Sequence, residues 1–284
     1  MRLHAIPLDC ALSPTDVLRT VCDEPWPFAL TGSWGGGGAI VGSNPLIVAD
    51  ARDDPFALVD SLPSVRDHGV PGTAIGGGWF GWLGYRLGRR IETVPAEPPR
   101  PVTLPDFHLA YYDHLLHLDP LGRWWFEALV SPDRARALKR RLADIRRRLA
   151  AGPPSTGHYV APQPFCLTSA ARAHHLAAVT ECRQRIIAGE IFQANICLRL
   201  ETRWRGLVEE LFGHAIARVA PPYGALFKTP WGGIASLSPE LFLRRRGDGV
   251  TTRSKGRYDA SATPRPPKPR VGSFSGRQKM PLST

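Results

Sequence analysis

Two glycine runs limit what the first part of this chain can become. Gly35 to Gly38 follows Trp34, and Gly76 to Gly84 reads Gly-Gly-Gly-Trp-Phe-Gly-Trp-Leu-Gly. Each glycine costs a helix about 1 kcal/mol relative to alanine, so neither region reads as helical. Glycine inside an apolar strand marks close approach of a neighbouring backbone. A buried strand pair is therefore the expected form, beside the apolar run Ala39-Ile40-Val41 and the strand candidate Leu46-Ile47-Val48-Ala49. The second run formally fits G-x-G-x-x-G. A dinucleotide site needs a strand before it and a helix after it, and Pro71-Gly72 upstream and Arg89-Arg90 downstream argue against both.

Further along, helical and strand patterns alternate. His108–His117 and Arg123–Val130 read as two strands joined by the turn Asp119-Pro120-Leu121-Gly122. A helix is predicted over 132–151, capped by Ser131, with Leu138, Leu142, Ile145 and Leu149 as one apolar stripe and its basic residues turned outward. The Gly- and Pro-rich stretch 152–157 is the best domain boundary. A second long helix, capped by Thr168 or Ser169, runs to about Ala188, with Leu176, Val179, Cys182 and Ile186 marking its buried side. Ile191–Leu200 then reads as a strand and Gly206–Val219 as a helix. Short strands are predicted at Gly224–Thr229, Gly233–Leu237, Leu241–Arg245 and Val250–Arg253. The predicted class is α+β, with an N-terminal domain over 1–152, a partial second domain over 165–254 and a tail over 255–284.

The 284 residues are 43% apolar, enough for a sizeable core. No apolar run reaches the ~18 residues of a membrane helix, and Met1–Asp9 lacks signal-peptide architecture. Five scattered cysteines form no C-x-x-C pair, which suits free thiols in a reducing cytoplasm. The net charge of +11 raises a nucleic-acid-binding alternative. Its placement weakens that idea. Residues 253–284 hold eight Lys or Arg and one acid, which leaves 28 basic against 24 acidic residues over 1–252. Nucleic acid is thus an unexpected partner.

Three segments carry the chemistry. They are Gly189-Glu190-Ile191-Phe192-Gln193-Ala194-Asn195, Pro221-Pro222-Tyr223-Gly224-Ala225-Leu226-Phe227, and Ser236-Leu237-Ser238-Pro239-Glu240-Leu241-Phe242. In order and spacing they resemble the chorismate-utilising enzymes, specifically component I of aminodeoxychorismate synthase and of anthranilate synthase. The resemblance covers 165–254 well and 25–130 more loosely. It implies an anthranilate synthase component I-like fold, chorismate as substrate, Mg²⁺ in an intact family member, and a glutamine amidotransferase subunit that supplies ammonia.

Replacing a ring hydroxyl of chorismate needs an acid for the departing oxygen and a nucleophile for the ring. By resemblance Glu240 is that general acid–base; taken alone it would read as a strand-end acid. Gln193 stands where isochorismate synthases carry a water-activating lysine. Its amide has no proton that titrates near neutral pH, so ammonia fits better than water as nucleophile. Lys255, in Ser254-Lys255-Gly256, matches the lysine that attacks the ring in aminodeoxychorismate synthases, although the following threonine is absent. Anthranilate synthases have alanine there, and anthranilate synthase component I is the alternative. A tryptophan pocket is also implied, with Ser33 facing Pro222, Tyr223 and Gly224. From Ser254 the sequence has no apolar periodicity and five prolines, so a disordered tail and a frameshift near codon 254 are expected. The family's metal ligands would lie beyond that point. No residue of this chain is assigned to a metal, and Mg²⁺ binding by it is not expected.

Overall fold

The computed structural model describes residues 1–61, 64–66, 69–93, 102, 104–154, 159–165, 167 and 169–252. Among these, strands β1 (Arg2–Pro7), β2 (Phe28–Gly32) and β3 (Gly38–Gly42) come first, with helix α1 (Pro14–Arg19) between β1 and β2. The short β4 (Ile47–Val48) and α2 (Pro55–Asp60) lead to β5 (Gly78–Leu83), β6 (Phe107–Tyr112), β7 (His114–Leu118) and β8 (Trp124–Val130). Helices α3 (Ala135–Ala151), α4 (Ser169–Ile187) and α5 (Val208–Val219) follow, then β9 (Tyr223–Thr229), β10 (Gly232–Ser238), β11 (Arg244–Arg246) and β12 (Gly249–Thr251). The α+β class holds.

Residues 1–239 form one compact unit. Its main sheet has the order β1-β8-β7-β3-β2-β9-β10, all antiparallel. A smaller sheet, β4-β6-β5, lies against one face. Strand alternation explains the layers. Ala29, Val41, Leu116, Phe126 and Leu226 face α1, α3 and α5, meeting Val17, Leu18, Leu138, Ile145 and Phe212. Their neighbours Phe28, Leu30, Ile40, Leu115, Ala225 and Phe227 face the smaller sheet. There Phe28 stacks between Phe80 and Phe227, with ring centroids at 4.6 and 5.6 Å.

The expected boundary at 152–157 does not separate two compact units. The whole of β2 pairs with β9, from Phe28↔Phe227 to Gly32↔Tyr223, so residues on both sides of that stretch share one sheet. Residues 240–252 belong to the second unit, where β11 and β12 form a hairpin. The tail 255–284 and the proposed frame break at 254 lie outside the described residues.

The second glycine run is strand β5, as expected. A Cβ at Gly81 would fall on the carbonyl oxygen of His108 in the paired strand, which is why only glycine fits there. The predicted strand His108–His117 is instead two strands. Buried Asp113 marks the corner where the chain leaves the smaller sheet for the main one, bonding His114 Nδ1 (2.8 Å) and Arg134 Nε (2.9 Å). Buried Glu127 ties the entry to β5 onto β8, accepting N–H groups of Ile75 and Gly76 at 2.6 and 2.7 Å. His117 Nδ1 lies 2.7 Å from its other oxygen.

The α3 stripe is buried as expected, but its basic face is not uniformly outward. Arg141 turns in to Glu24, with Nη1 donating at 2.5 Å, and its Nε donates to His114 Nε2 at 2.9 Å. Arg148 reaches Asp23 and the Thr20 carbonyl. The buried carboxylate of Glu24 needs paired charge to be tolerated, and α3 supplies it. Burial opposes ionisation of Glu24, yet Arg141 and Ser43 outweigh it and hold the carboxyl below its usual range.

Two further corrections concern 169–200. Helix α4 forms, but no residue of it is buried; Leu176 is 56% exposed. No described element covers the predicted stripe, and periodicity creates burial only where something packs against it. Thr168, one of the two proposed caps, is outside the described residues. Ile191–Leu200 is not a strand. Both edges of the neighbouring motif strand β9 are already taken, by β2 and β10.

His108 gives a pH prediction. It is 3% exposed, stacks on Trp26 at 4.7 Å and packs against Trp82 at 4.8 Å. Burial pushes its pKa down to about 4. Between that value and ~6.5 the unfolded chain holds a proton that the folded chain does not. Stability therefore falls as pH drops through this window, by on the order of 3 kcal/mol. His108→Phe keeps a ring between the tryptophans. Urea midpoints at pH 7 and pH 4.5 should drop less in this variant than in wild type; identical drops would contradict the assignment.

Candidate functional site

The site begins where α5 ends. Ala220 takes a left-handed conformation (φ 45°, ψ 54°), and its N–H donates to the Ile216 carbonyl at 2.8 Å, closing the helix. Pro221 and Pro222 cannot extend a helix and feed directly into β9. The opposing end of β2 is Gly32, at φ 96°, where a Cβ would overlap the Pro222 carbonyl oxygen. The absent side chain lets Ser33 N–H donate to that oxygen at 2.6 Å. Ser33 is thus brought to Pro222, next to Tyr223 and Gly224 at the start of β9. Sequence reasoning passed over the residue that fills the space between them. Trp34 Nε1 donates to the Gly224 carbonyl at 2.9 Å, and its ring meets buried Tyr223 edge-on at 5.3 Å and 82°. The available signal was a tryptophan placed directly before four glycines.

The other predicted residues fall elsewhere. Gln193 is exposed, on the irregular segment after Gly189 ends α4. Nearby, Cys197 donates to Asn195 Oδ1 at 3.7 Å. Gln193 belongs to the first unit, while exposed Glu240 opens the second, two residues beyond the end of β10. Within that unit Thr252 Oγ1 donates to the Leu241 carbonyl at 3.5 Å. Lys255 lies outside the described residues.

A groove of about 380 Å³ in the first unit is lined by Glu24, His114, Arg134, Arg141 and Asp144 among others. Arg140 also lines it, and two other arginines there are committed to partners. Arg134 bonds Asp113, and Arg141 bonds Glu24, His114 and Asp144. Arg141 donating to His114 Nε2 leaves the His114 Nδ1–H to donate to Asp113. These contacts form a structural network across the groove. Among the described residues no group of three or more His, Cys, Asp or Glu is placed to hold a metal ion. No helix among them is long and apolar enough to cross a membrane.

The mixed helix-and-sheet fold is that of anthranilate synthase component I. The solved enzyme from Streptococcus pneumoniae superposes over 89% of this chain and 53% of its own length, at TM-score 0.62 and 19% identity. Residues 34–264 match the model of the chorismate binding enzymes, more than half of the chain, and the chain belongs to that family. Aminodeoxychorismate synthase component 1 of Klebsiella aerogenes is 31% identical over 226 residues, 76% of this chain and 47% of the relative. Anthranilate synthase component 1 of Streptomyces coelicolor is 29% identical, covering 94% and 55%. The chain spans about half or less of the length of the curated relatives it matches.

The geometry separates the predicted residues by substitution. Gly32→Ala must displace the Pro222 backbone and should cost at least ~2 kcal/mol. Gln193→Ala, at an exposed irregular position, should stay within ~0.5 kcal/mol of wild type. Urea unfolding of both variants checks this; equal effects would contradict the placement.

Proposed function

We propose that this chain belongs to an aminodeoxychorismate synthase component I, the subunit that converts chorismate and ammonia to 4-amino-4-deoxychorismate for 4-aminobenzoate and folate synthesis. The observation that carries the reading is the ordered series of Gln193, Pro222-Tyr223, Ser238-Pro239-Glu240 and Lys255-Gly256 within the family match. The relatives named aminodeoxychorismate synthase component 1 in Klebsiella aerogenes and Salmonella typhimurium support it.

In this reading Glu240 gives its proton to the departing ring hydroxyl, which leaves as water. General acid help of this kind is worth about 10²–10⁴ in rate. Gln193 cannot take a proton from water, so ammonia, delivered by a glutamine amidotransferase partner, supplies the incoming nitrogen. Lys255, once deprotonated, has the chemistry to attack the ring first, as the hydroxyl leaves; ammonia then displaces the Lys255 nitrogen, releasing the amino product and the free lysine. No step is assigned to Mg²⁺. Anthranilate synthase component I is the second reading, favoured by the Streptomyces coelicolor relative that matches 94% of the chain.

The same reading holds that the chain alone does not turn over chorismate. It rests on Gln193, exposed on an irregular segment, and on the uncovered α4 that leads into it. Purified chain given chorismate, Mg²⁺ and ammonium should form no product above the buffer blank. A chimera that keeps Lys255-Gly256 and carries the C-terminal half of the Klebsiella relative after residue 256 should make 4-amino-4-deoxychorismate. Its Glu240→Gln variant should be slower by about 10² or more. Turnover by the chain alone near that of a full-length relative would contradict the inactivity. Anthranilate as the chimera's product would transfer the assignment to the second reading.

A further inference from the structure

We propose that the hollow beside β1, lined by Arg2, Leu3, His4 and Arg66, binds a phosphate group, carried on a small molecule or as the free ion. The inference goes beyond the chorismate reading and does not use it. β1 is one edge of the main sheet and β10 the other, so the hollow lies away from the motif segments on β9 and β10.

The backbone brings three nitrogen-rich side chains together. Leu3 is buried against Tyr111 and Leu129, so Arg2 and His4, on either side of it, point to the other face of the strand. Both are exposed. The chain then passes again along the outer side of β1. Leu3 N–H donates to the Arg66 carbonyl at 2.9 Å, and Arg66 N–H donates to the Met1 carbonyl at 3.1 Å. These bonds set Arg66 directly beside Arg2 in a parallel bridge. Two guanidinium groups are thereby held side by side, with His4 two residues along the same face.

Like charges directly opposite one another on neighbouring strands are destabilising. Elsewhere the fold answers its arginines with acids: Arg19 meets Glu210, Arg134 meets Asp113 and Arg141 meets Glu24. Among the described residues no carboxylate pairs with Arg2, His4 or Arg66, and no acid lines the hollow. A bound anion relieves this repulsion. One guanidinium fork already satisfies the two oxygens of a carboxylate, whereas a phosphate has further oxygens for a second fork and for a ring N–H of His4. The hollow measures about 400 Å³, within the range of small-molecule sites, and leaves room for an organic body beside the phosphate.

The test uses the full chain in chloride buffer at fixed ionic strength, titrated calorimetrically with inorganic phosphate, phenyl phosphate and acetate. Phosphate should bind saturably at one site per chain, and acetate at least tenfold more weakly. Arg2→Gln and Arg66→Gln should each weaken phosphate binding about tenfold. Arg52→Gln, which removes an exposed arginine outside the hollow, should leave it unchanged. All three positions are exposed, so circular dichroism should show every variant folded. On the wild-type chain itself, phosphate should protect Arg2 and Arg66 from modification by phenylglyoxal, read by mass spectrometry. Tighter binding of phenyl phosphate than of phosphate identifies a phosphate ester as the ligand; binding of inorganic phosphate alone identifies the free ion. No saturable binding of either, acetate binding as tightly as phosphate, or an affinity that neither Arg2→Gln nor Arg66→Gln changes overturns the proposal.

Discussion

The pairing of β2 with β9 is the constraint on which the rest of the structure depends. It joins Phe28 to Phe227 across nearly two hundred residues, and makes one sheet from segments that the linker composition seemed to keep apart. Closing so long a loop costs only a few kcal/mol, because the cost grows with the logarithm of its length. The return is large. Phe28 is fully buried against Phe80, Tyr112 and Phe227, and truncating such a residue typically costs 3–5 kcal/mol, against a total stability of about 5–15 kcal/mol. The same ladder sets the functional geometry. Once Phe28 faces Phe227, the antiparallel register places Gly32 at Tyr223, and Ser33 and Trp34 must meet Pro222 and Gly224.

Charge is arranged around that sheet with similar economy. The two acids in the first turn of α5, Glu209 and Glu210, are buried and meet Lys228 and Arg19. Their position at a helix N-terminus is itself favourable. In the β7–β8 turn, burial opposes ionisation of Asp119. The Arg123 backbone, the Trp125 indole, the Arg123 guanidinium and the Leu121 N–H together still hold it down to about 2. Among the described residues, Arg19, Arg123 and Lys228 therefore serve buried acids.

What could be read from the sequence was local. The α3 stripe, the Asp119–Gly122 turn, the breaking of α5 at Pro221 and the glycines of β5 each follow from short-range rules, and each is present. What could not be read depended on partners. Leu176 and Ile186 have the spacing of a buried face, but spacing cannot say whether another element arrives to cover them. Arg141 looks like any basic helix residue until Glu24, over a hundred residues away in sequence, is placed beside it. Three of the site segments were legible as motifs. Trp34 was not, because its role comes from a β2–β9 register that no local pattern reveals.

The central claim is that a chorismate-family platform is fully formed around β2, β3 and β9, while the α4 helix and the Gln193 segment stand uncovered on it. Amide hydrogen exchange resolved by segment tests this directly. Residues 28–32, 39–42 and 223–229 should exchange at the rate of global unfolding. Residues 169–200 should exchange orders of magnitude faster, α4 being held only by its own backbone hydrogen bonds. Protection of 169–200 equal to that of β9 would contradict the account.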